Sequence, residues 1–449
     1  MKRAICILLA AIFALSLASC GTKEECTYDF LPSDYPLFVR KSVNGLPIKG
    51  GAYLHIDMHN LDGKGLNDTE NEIPIPMRSI FDEETKTIIP LCWDMTCEHG
   101  NENCFGYLYG ASYYAFTGIY DDTVFLLRES ADTKNQLEAV YYGLDGVILE
   151  TIEYSPELIM PNGEILEDRF FMNPMAYFLY GSKFYFDICT EFVGVDKAVL
   201  LEQNEIEYVH WFVSYDIEQK KWELLTKEPY LFYDNSILFE EAQENKLAFT
   251  HNGIGYVVDA ETGETEVYDC AEILDKMIAD RKLPVGTKIT GMYVFQDYFI
   301  CYTGSEFLYC KISTQDFVEY DELERVSSDV RNRYVYNGEL YVIDTTTTPD
   351  NYISMNKNTG EKFSFGIDGK VLSFFSETEK GIIFSYLNLF EDENGLSLEP
   401  ETYTVKENGR AVTYRYPQKY VYVTKEDILD GNIDEPWYYD AETYSFVQE

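Results

Sequence analysis

Apolar and polar residues alternate with a period of two along most of this chain, in short runs that end at Asp, Asn, Thr or Gly. A period of two places every second side chain on one face of an extended strand, so the pattern predicts β-strands. One unit recurs: an alternating strand, a polar turn and a second strand. It reads S-I-F-D-E-E-T-K-T-I-I-P at Asp82, V-Y-Y-G-L-D-G-V-I-L-E at Gly143, V-S-Y-D-I-E-Q-K-K-W-E-L at Asp216 and Y-V-V-D-A-E-T-G-E-T-E-V at Asp259. Looser copies centre on Ser313, Asn356 and Asp440. Asp or Asn closes such a turn through its own side chain, and Gly or a polar residue takes the left-handed backbone position.

A second turn is expected one strand earlier in most units, at Asp121-Asp122, Gly181-Ser182, Glu244-Asn245, Gln296-Asp297 and Asn337-Gly338. Two hairpins in series make a four-stranded meander, and a series of meanders predicts a β-propeller. The expected fold class is therefore all-β, a seven-bladed propeller in one domain over 31–449. Six or eight blades stay open, because the first and last units are the least regular. A pair of sandwiches should show a linker, and a solenoid needs shorter, stricter repeats. Two insertions break the spacing. Asp269 to Lys282 puts Ile273, Leu274, Met277 and Ile278 on one helical face, with Pro284 beyond as a stop. Glu391 to Arg415 is acidic and carries its own hairpin signal at Asn408-Gly409.

The N-terminus follows a different rule. Lys2 and Arg3 precede an uncharged apolar run, Ala4 to Leu17, too short for a membrane span of about 20 residues and suited to a signal peptide. It ends in Leu17-Ala18-Ser19-Cys20-Gly21, which resembles the bacterial lipobox. Residues 1–19 are expected to be a lipoprotein signal peptide, Cys20 the lipidated residue and 20–30 the tether. The mature protein is thus expected on the extracytoplasmic face of a bacterial cell membrane, lipid-anchored.

Composition adds two facts. Aromatic residues reach 16%, mainly 38 Tyr and 28 Phe, which favour half-buried pleated surfaces. The formal net charge is −43, a field that repels nucleic acid and anionic headgroups and attracts cations or basic partners. No nucleic-acid partner is expected.

Directly after the first hairpin comes Cys92-Trp-Asp-Met-Thr-Cys97-Glu-His99-Gly-Asn-Glu-Asn-Cys104. Three thiols and an imidazole suffice for a structural zinc site at Cys92, Cys97, His99 and Cys104. An exported chain can equally oxidise such thiols to disulfides, and unpaired or redox-active thiols are the third reading. The strand, hairpin, strand and P-L-C…C-x-H…C sequence from Ile80 to Cys104 resembles a family of propeller lipoproteins from anaerobic gut bacteria, labelled with domains of unknown function. That resemblance implies an exported propeller similar to TolB-like or PQQ-repeat-like ones, and it implies no activity.

Elsewhere, His55, Asp57 and His59 fall on one face of a strand and form a second polar cluster that invites a metal. Cys301 and Cys310 face each other, with a disulfide in prospect, if Ser305-Glu306 is a two-residue turn. Cys189 and Cys270 read as buried thiols, and His210 and His251 as isolated structural histidines. The chain has no G-x-S-x-G, H-E-x-x-H, Walker loop or G-x-G-x-x-G after a strand. The favoured expectation is a non-catalytic binding module for a glycan, peptide or protein. The alternatives are an extracytoplasmic glycan hydrolase or lyase with its site in the channel, and a metal or redox role for the Cys/His loop.

Overall fold

A computed structural model describes residues 27–32, 35, 45–56, 77–92, 105–106, 116–130, 132–167, 169–191, 208–226, 229–232, 246–251, 254–259, 262, 264–269, 275, 279, 285, 291–295, 298–302, 307–311, 316–318, 332–336, 339–343, 352–355, 362–365, 367, 369–392, 395–398, 402–407, 410–415, 418–430, 433, 435–440 and 443–448. Within them the protein is all-β, built from successive antiparallel sheets. The first holds β1 (Gly45–Ile48), β2 (Gly51–Ile56), β3 (Met77–Asp82) and β4 (Thr87–Pro90) in chain order, and through β4 it continues into the strands of the chain's end as one ten-stranded sheet. The second holds β5 (Phe116–Tyr120), β6 (Thr123–Glu129), β7 (Leu137–Gly143) and β8 (Ile148–Tyr154). The third holds β9 (Phe171–Tyr180), β10 (Lys183–Glu191), β11 (Tyr208–Asp216) and β12 (Lys221–Leu224), and β13 (Tyr230–Phe232) pairs with the other end of β11.

The series continues with β14 (Lys246–His251), β15 (Ile254–Asp259) and β16 (Thr265–Asp269), then β17 (Gly291–Phe295), β18 (Tyr298–Tyr302), β19 (Phe307–Lys311) and β20 (Asp316–Val318). β21 (Asn332–Tyr336) pairs with β22 (Glu339–Ile343), and β23 (Tyr352–Met355) with β24 (Lys362–Phe365); β22 lies beside β23. In the last sheet, β25 (Lys370–Glu377) and β26 (Gly381–Asp392) precede an insertion of β27 (Gly395–Leu398), β28 (Thr402–Glu407) and β29 (Arg410–Arg415). β30 (Lys419–Thr424), a one-turn helix at Lys425–Asp430, β31 (Trp437–Asp440) and β32 (Ser445–Gln448) complete it.

The recurrent turns are hairpins for the reason their residues suggest. The Oδ1 atoms of Asp82, Asp216 and Asp259 accept hydrogen bonds from the backbone N–H three residues on, at 2.7, 3.0 and 2.8 Å. The left-handed position falls to Lys86, Lys220 and Tyr444 in three turns, and to Gly146 in the Gly143 turn. Glu244-Asn245 lie outside the described residues, and the hairpin before the Asp259 turn closes between His251 and Ile254. Asp269 ends β16 instead of opening a helix, whereas Asp275 and Ala279 are helical as the periodicity predicts. The Asn408-Gly409 hairpin joins β28 to β29. Among the described residues, no helix is long and apolar enough to cross a membrane.

Both faces of β1–β3 are buried, and this decides how the sheets assemble. Leu46, Ile48, Tyr53 and Ile80 point into a core shared with the second and third sheets. Alternate residues Ala52, Leu54, Ile56, Met77, Phe81 and Ile88 point into a core with Phe375, Ile383, Tyr420, Tyr422 and Phe446 of the last sheet. The ends of the described chain therefore meet. At this seam β4 and β32 bridge at Thr87 and Ser445, and the two positive-φ turn residues exchange hydrogen bonds. Ile88 N–H donates to Tyr444 O, and Phe446 N–H to Lys86 O, both at 2.7 Å. On the inner side β1 approaches β25 so closely that a Cβ on Gly45 would lie 2.2 Å from Ser376 Oγ.

A buried carboxylate locks the seam. Glu83, in the β3–β4 turn, accepts hydrogen bonds from Tyr422 Oη at 2.7 Å, Lys380 N–H at 3.0 Å and the Thr378 hydroxyl, all from the last sheet. Hydrogen bonds to a charged acceptor contribute about 1.5–3 kcal/mol each, and stranded donors add a penalty. Glu83→Ala is accordingly expected to lower the unfolding free energy by about 3 kcal/mol in denaturant titration. Exposed Glu84→Ala should stay within about 0.5 kcal/mol of the parent.

Candidate functional site

The third sheet carries a buried cluster of polar side chains on the face opposite its main apolar core. Along β10, Phe184, Phe186 and Ile188 point toward the first two sheets. Tyr185, Asp187 and Cys189 occupy the alternate positions, and Tyr185 packs with Phe178, Phe212 and Val258 on the side of β15. β11 repeats this arrangement. Val209, Trp211 and Val213 join the first core, and His210 and Phe212 take the other face. Register then makes the site, because Cys189 pairs directly with His210 while Asp187 sits two residues earlier on the same strand.

His210 Nδ1 lies 2.9 and 3.1 Å from the two carboxylate oxygens of Asp187. Both side chains are fully buried, and Cys189 is 4% exposed. One donor atom each from Asp187, Cys189 and His210 lie within 4.8 Å of one another. Burial, then the Asp187 and Glu129 carboxylates, push the Cys189 thiol up to about 12. A thiol so shifted stays protonated at neutral pH and is no nucleophile by itself. Opposite Asp187 the β9–β10 ladder breaks: Phe186 pairs with Tyr177, but Ile188 pairs with Met172. The extra residues of β9 leave a bulge beside the Asp187 backbone.

The residues singled out from sequence fare differently. Cys20, Asp57, His59, Cys97, His99, Cys104 and Cys270 lie outside the described residues. Cys92 is half-buried just past β4, its N–H donating to Pro90 O at 2.8 Å. His55 is on β2, opposite Arg78, with Nε2 2.5 Å from Thr117 Oγ1 of β5 and its ring edge-on to Tyr53. Desolvation, then Arg78, lower its pKa to about 3, so the ring is a neutral link between the first two sheets. Cys301 and Cys310 are not opposite. The last β18–β19 pair is Tyr302 with Phe307, which centres the hairpin one residue earlier than a Ser305-Glu306 turn, so Cys301 pairs with Leu308 and Cys310 with Phe299. That register makes them diagonal positions, whose separation of about 7–8 Å exceeds the Cβ spacing of a disulfide.

Sequence reading left His210 isolated and Cys189 an ordinary thiol. A signal was present: the D-I-C spacing puts Asp187 and Cys189 on one strand face. What brings His210 to them is pairing across residues 192–207, which no local pattern encodes.

No protein-family model and no curated protein matches the chain. Solved structures similar to it include apo AztD from Citrobacter koseri, 11% identical, covering 72% of this chain and 71% of that one at a TM-score of 0.31. The AfRom2 CNH domain is 11% identical, with 83% and 96% covered and a TM-score of 0.34. The N-terminal domain of Nup159 is 9% identical, with 50% and 72% covered and a TM-score of 0.23. Scores this low carry no argument about fold or function.

The half-buried His55 makes stability fall with acidification. In the unfolded chain the ring takes a proton below about pH 6.5, whereas folded His55 refuses it until about 3. The unfolded state therefore binds more protons across that window, and His55 contributes up to about 1.4 kcal/mol of loss per pH unit. His55→Gln removes this term. The difference in unfolding free energy between parent and variant should shrink from about pH 7 to about pH 4.5; a pH-independent difference would contradict a half-buried neutral ring.

Proposed function

We propose that this chain is a seven-bladed β-propeller lipoprotein, held at the extracytoplasmic face of a bacterial membrane by lipid on Cys20, that acts as a non-catalytic binding module. The single observation that carries the propeller is the first sheet, buried on one face by the second and third sheets and on the other by the last. Successive antiparallel meanders whose first and last members share a core support a closed ring. In that reading β21–β24 form one blade, and the Glu391–Arg415 strands are an insertion into the last.

Binding is favoured over catalysis by how the described His and Cys groups are held. His55 is kept neutral between sheets, and Cys189 is kept protonated in the interior. Neither is poised for proton transfer or attack near neutral pH. The ligand is a glycan, peptide or protein, met by loops and aromatic side chains at one end of the ring. The loop from Cys92 to Cys104 staples the first blade, through a disulfide or a zinc ion on Cys92, Cys97, His99 and Cys104. The tether is the part of 20–30 that precedes Tyr28, because Phe30 is buried in the core of the first three sheets and bridges Ile48; the negative field keeps the ring off an anionic bilayer.

Two measurements test this reading. Cys20→Ala should abolish incorporation of labelled palmitate and release the protein from the membrane fraction; unchanged membrane partition would contradict the lipid anchor. A thermal-shift screen of the mature chain against glycans and peptides should give a ligand that raises the melting point without being consumed. Turnover of that ligand would instead make the protein a hydrolase or lyase.

A further inference from the structure

We propose that Asp187, Cys189 and His210 form a binding site for a divalent transition metal, zinc(II) by the nature of the donors. The site shares no residue with the Cys92–Cys104 loop and does not depend on the ligand-binding role. Its donors are one carboxylate oxygen, one sulfur and one imidazole nitrogen, all on one face of β10 and β11.

Geometry is the first support. Zinc bonds of about 2.0–2.3 Å in a tetrahedron hold donor atoms roughly 3.3–3.8 Å apart. The three donors already lie within 4.8 Å of one another, and His210 Nδ1 and Asp187 Oδ1 are at 2.9 Å. Small side-chain rotations would convert the cluster into a coordination shell with no change of backbone. The backbone is fixed, because β11 pairs with β10 along its length and with β13 at His210. The β9–β10 register shifts between Phe186 and Ile188, with the extra residues on β9 opposite the carboxylate donor.

Charge and softness point the same way. Metal binding would displace the Cys189 proton to solvent, and the resulting thiolate, with a carboxylate and a neutral imidazole, would balance a divalent cation and give a neutral unit that a dry interior tolerates. Sulfur and nitrogen donors select zinc-like metals over calcium or magnesium, which require oxygen shells. A net charge of −43 draws cations to the protein. Three protein donors leave one position for a small exogenous donor such as water. A bound ion would cross-link β10 to β11 on the face directed at β15.

The test uses the full mature chain, reduced and handled anaerobically, with zinc measured by elemental analysis and cobalt(II) as a spectroscopic substitute. Relative to the parent, Cys189→Ser should lose one equivalent of zinc and the charge-transfer intensity of one cobalt-bound thiolate. Asp187→Asn, nearly isosteric, should weaken metal binding at least tenfold and stands in if the serine variant does not fold. Cys92→Ser should leave this zinc equivalent in place. A parent that takes up no zinc would overturn the proposal, as would stoichiometry and cobalt spectrum unchanged in folded Cys189→Ser and Asp187→Asn.

Discussion

Strands β1–β3 have no solvent-facing side: alternate residues of β2 and β3 enter two different cores, and each core needs partner strands. The second and third sheets supply one. Only the far end of the chain supplies the other. Strands separated by nearly the whole sequence are thereby obliged to meet, and the rest of the architecture follows from that obligation. The seam is built from the repeat itself. The β3–β4 and β31–β32 turns place Lys86 and Tyr444 at positive φ and exchange backbone hydrogen bonds through them, so the same local motif both ends a meander and joins its two extremes. Glu83 adds a buried acceptor that only the last sheet can satisfy. A non-local closure of this kind carries a large loop-closure entropy and repays it only when both faces pack.

The same two-faced logic produces the polar cluster. β10 and β11 lie between one apolar layer toward the first two sheets and another toward β15, so each of their side chains is committed to one interior or the other. Polar residues can persist in such a layer only by satisfying one another, and Asp187 and His210 do so through their hydrogen bonds. His55 is the analogous case in the first layer, paired with Thr117 of the second sheet. One histidine links two sheets, and the other gathers a carboxylate and a thiol on its own sheet. That difference makes the second a candidate centre.

Much of the fold was legible because its information is local. Turn chemistry at Asp82, Asp216, Asp259 and Asp440 located the hairpins, since an Asp side chain reaches a donor three residues away whatever the rest of the chain does: a backbone N–H at the first three, the Thr443 hydroxyl at Asp440. Period-two alternation identified the strands for the same reason. Legibility ended where partners are distant. Glu83 reads as one more acidic turn residue, and nothing nearby in sequence marks it as the acceptor for Tyr422, 339 positions away. Cys301 and Cys310 depended on where the turn is centred, and a centre one residue earlier than Ser305-Glu306 moved the partner of Cys301 by two residues, to Leu308. His210 meets Cys189 only through a strand pairing across a long connection.

Ring closure is the claim on which the account rests, and Thr87 and Ser445 test it directly because they are paired across the seam. Thr87→Cys with Ser445→Cys should form a disulfide on mild oxidation, identified by peptide mapping, and should raise the melting temperature by restricting the unfolded chain. A control joining Ser445→Cys with Glu153→Cys, on the exposed strand β8, should not cross-link. Failure of the first pair to cross-link, or equal cross-linking of both pairs, would contradict a closed seam between the first and last sheets.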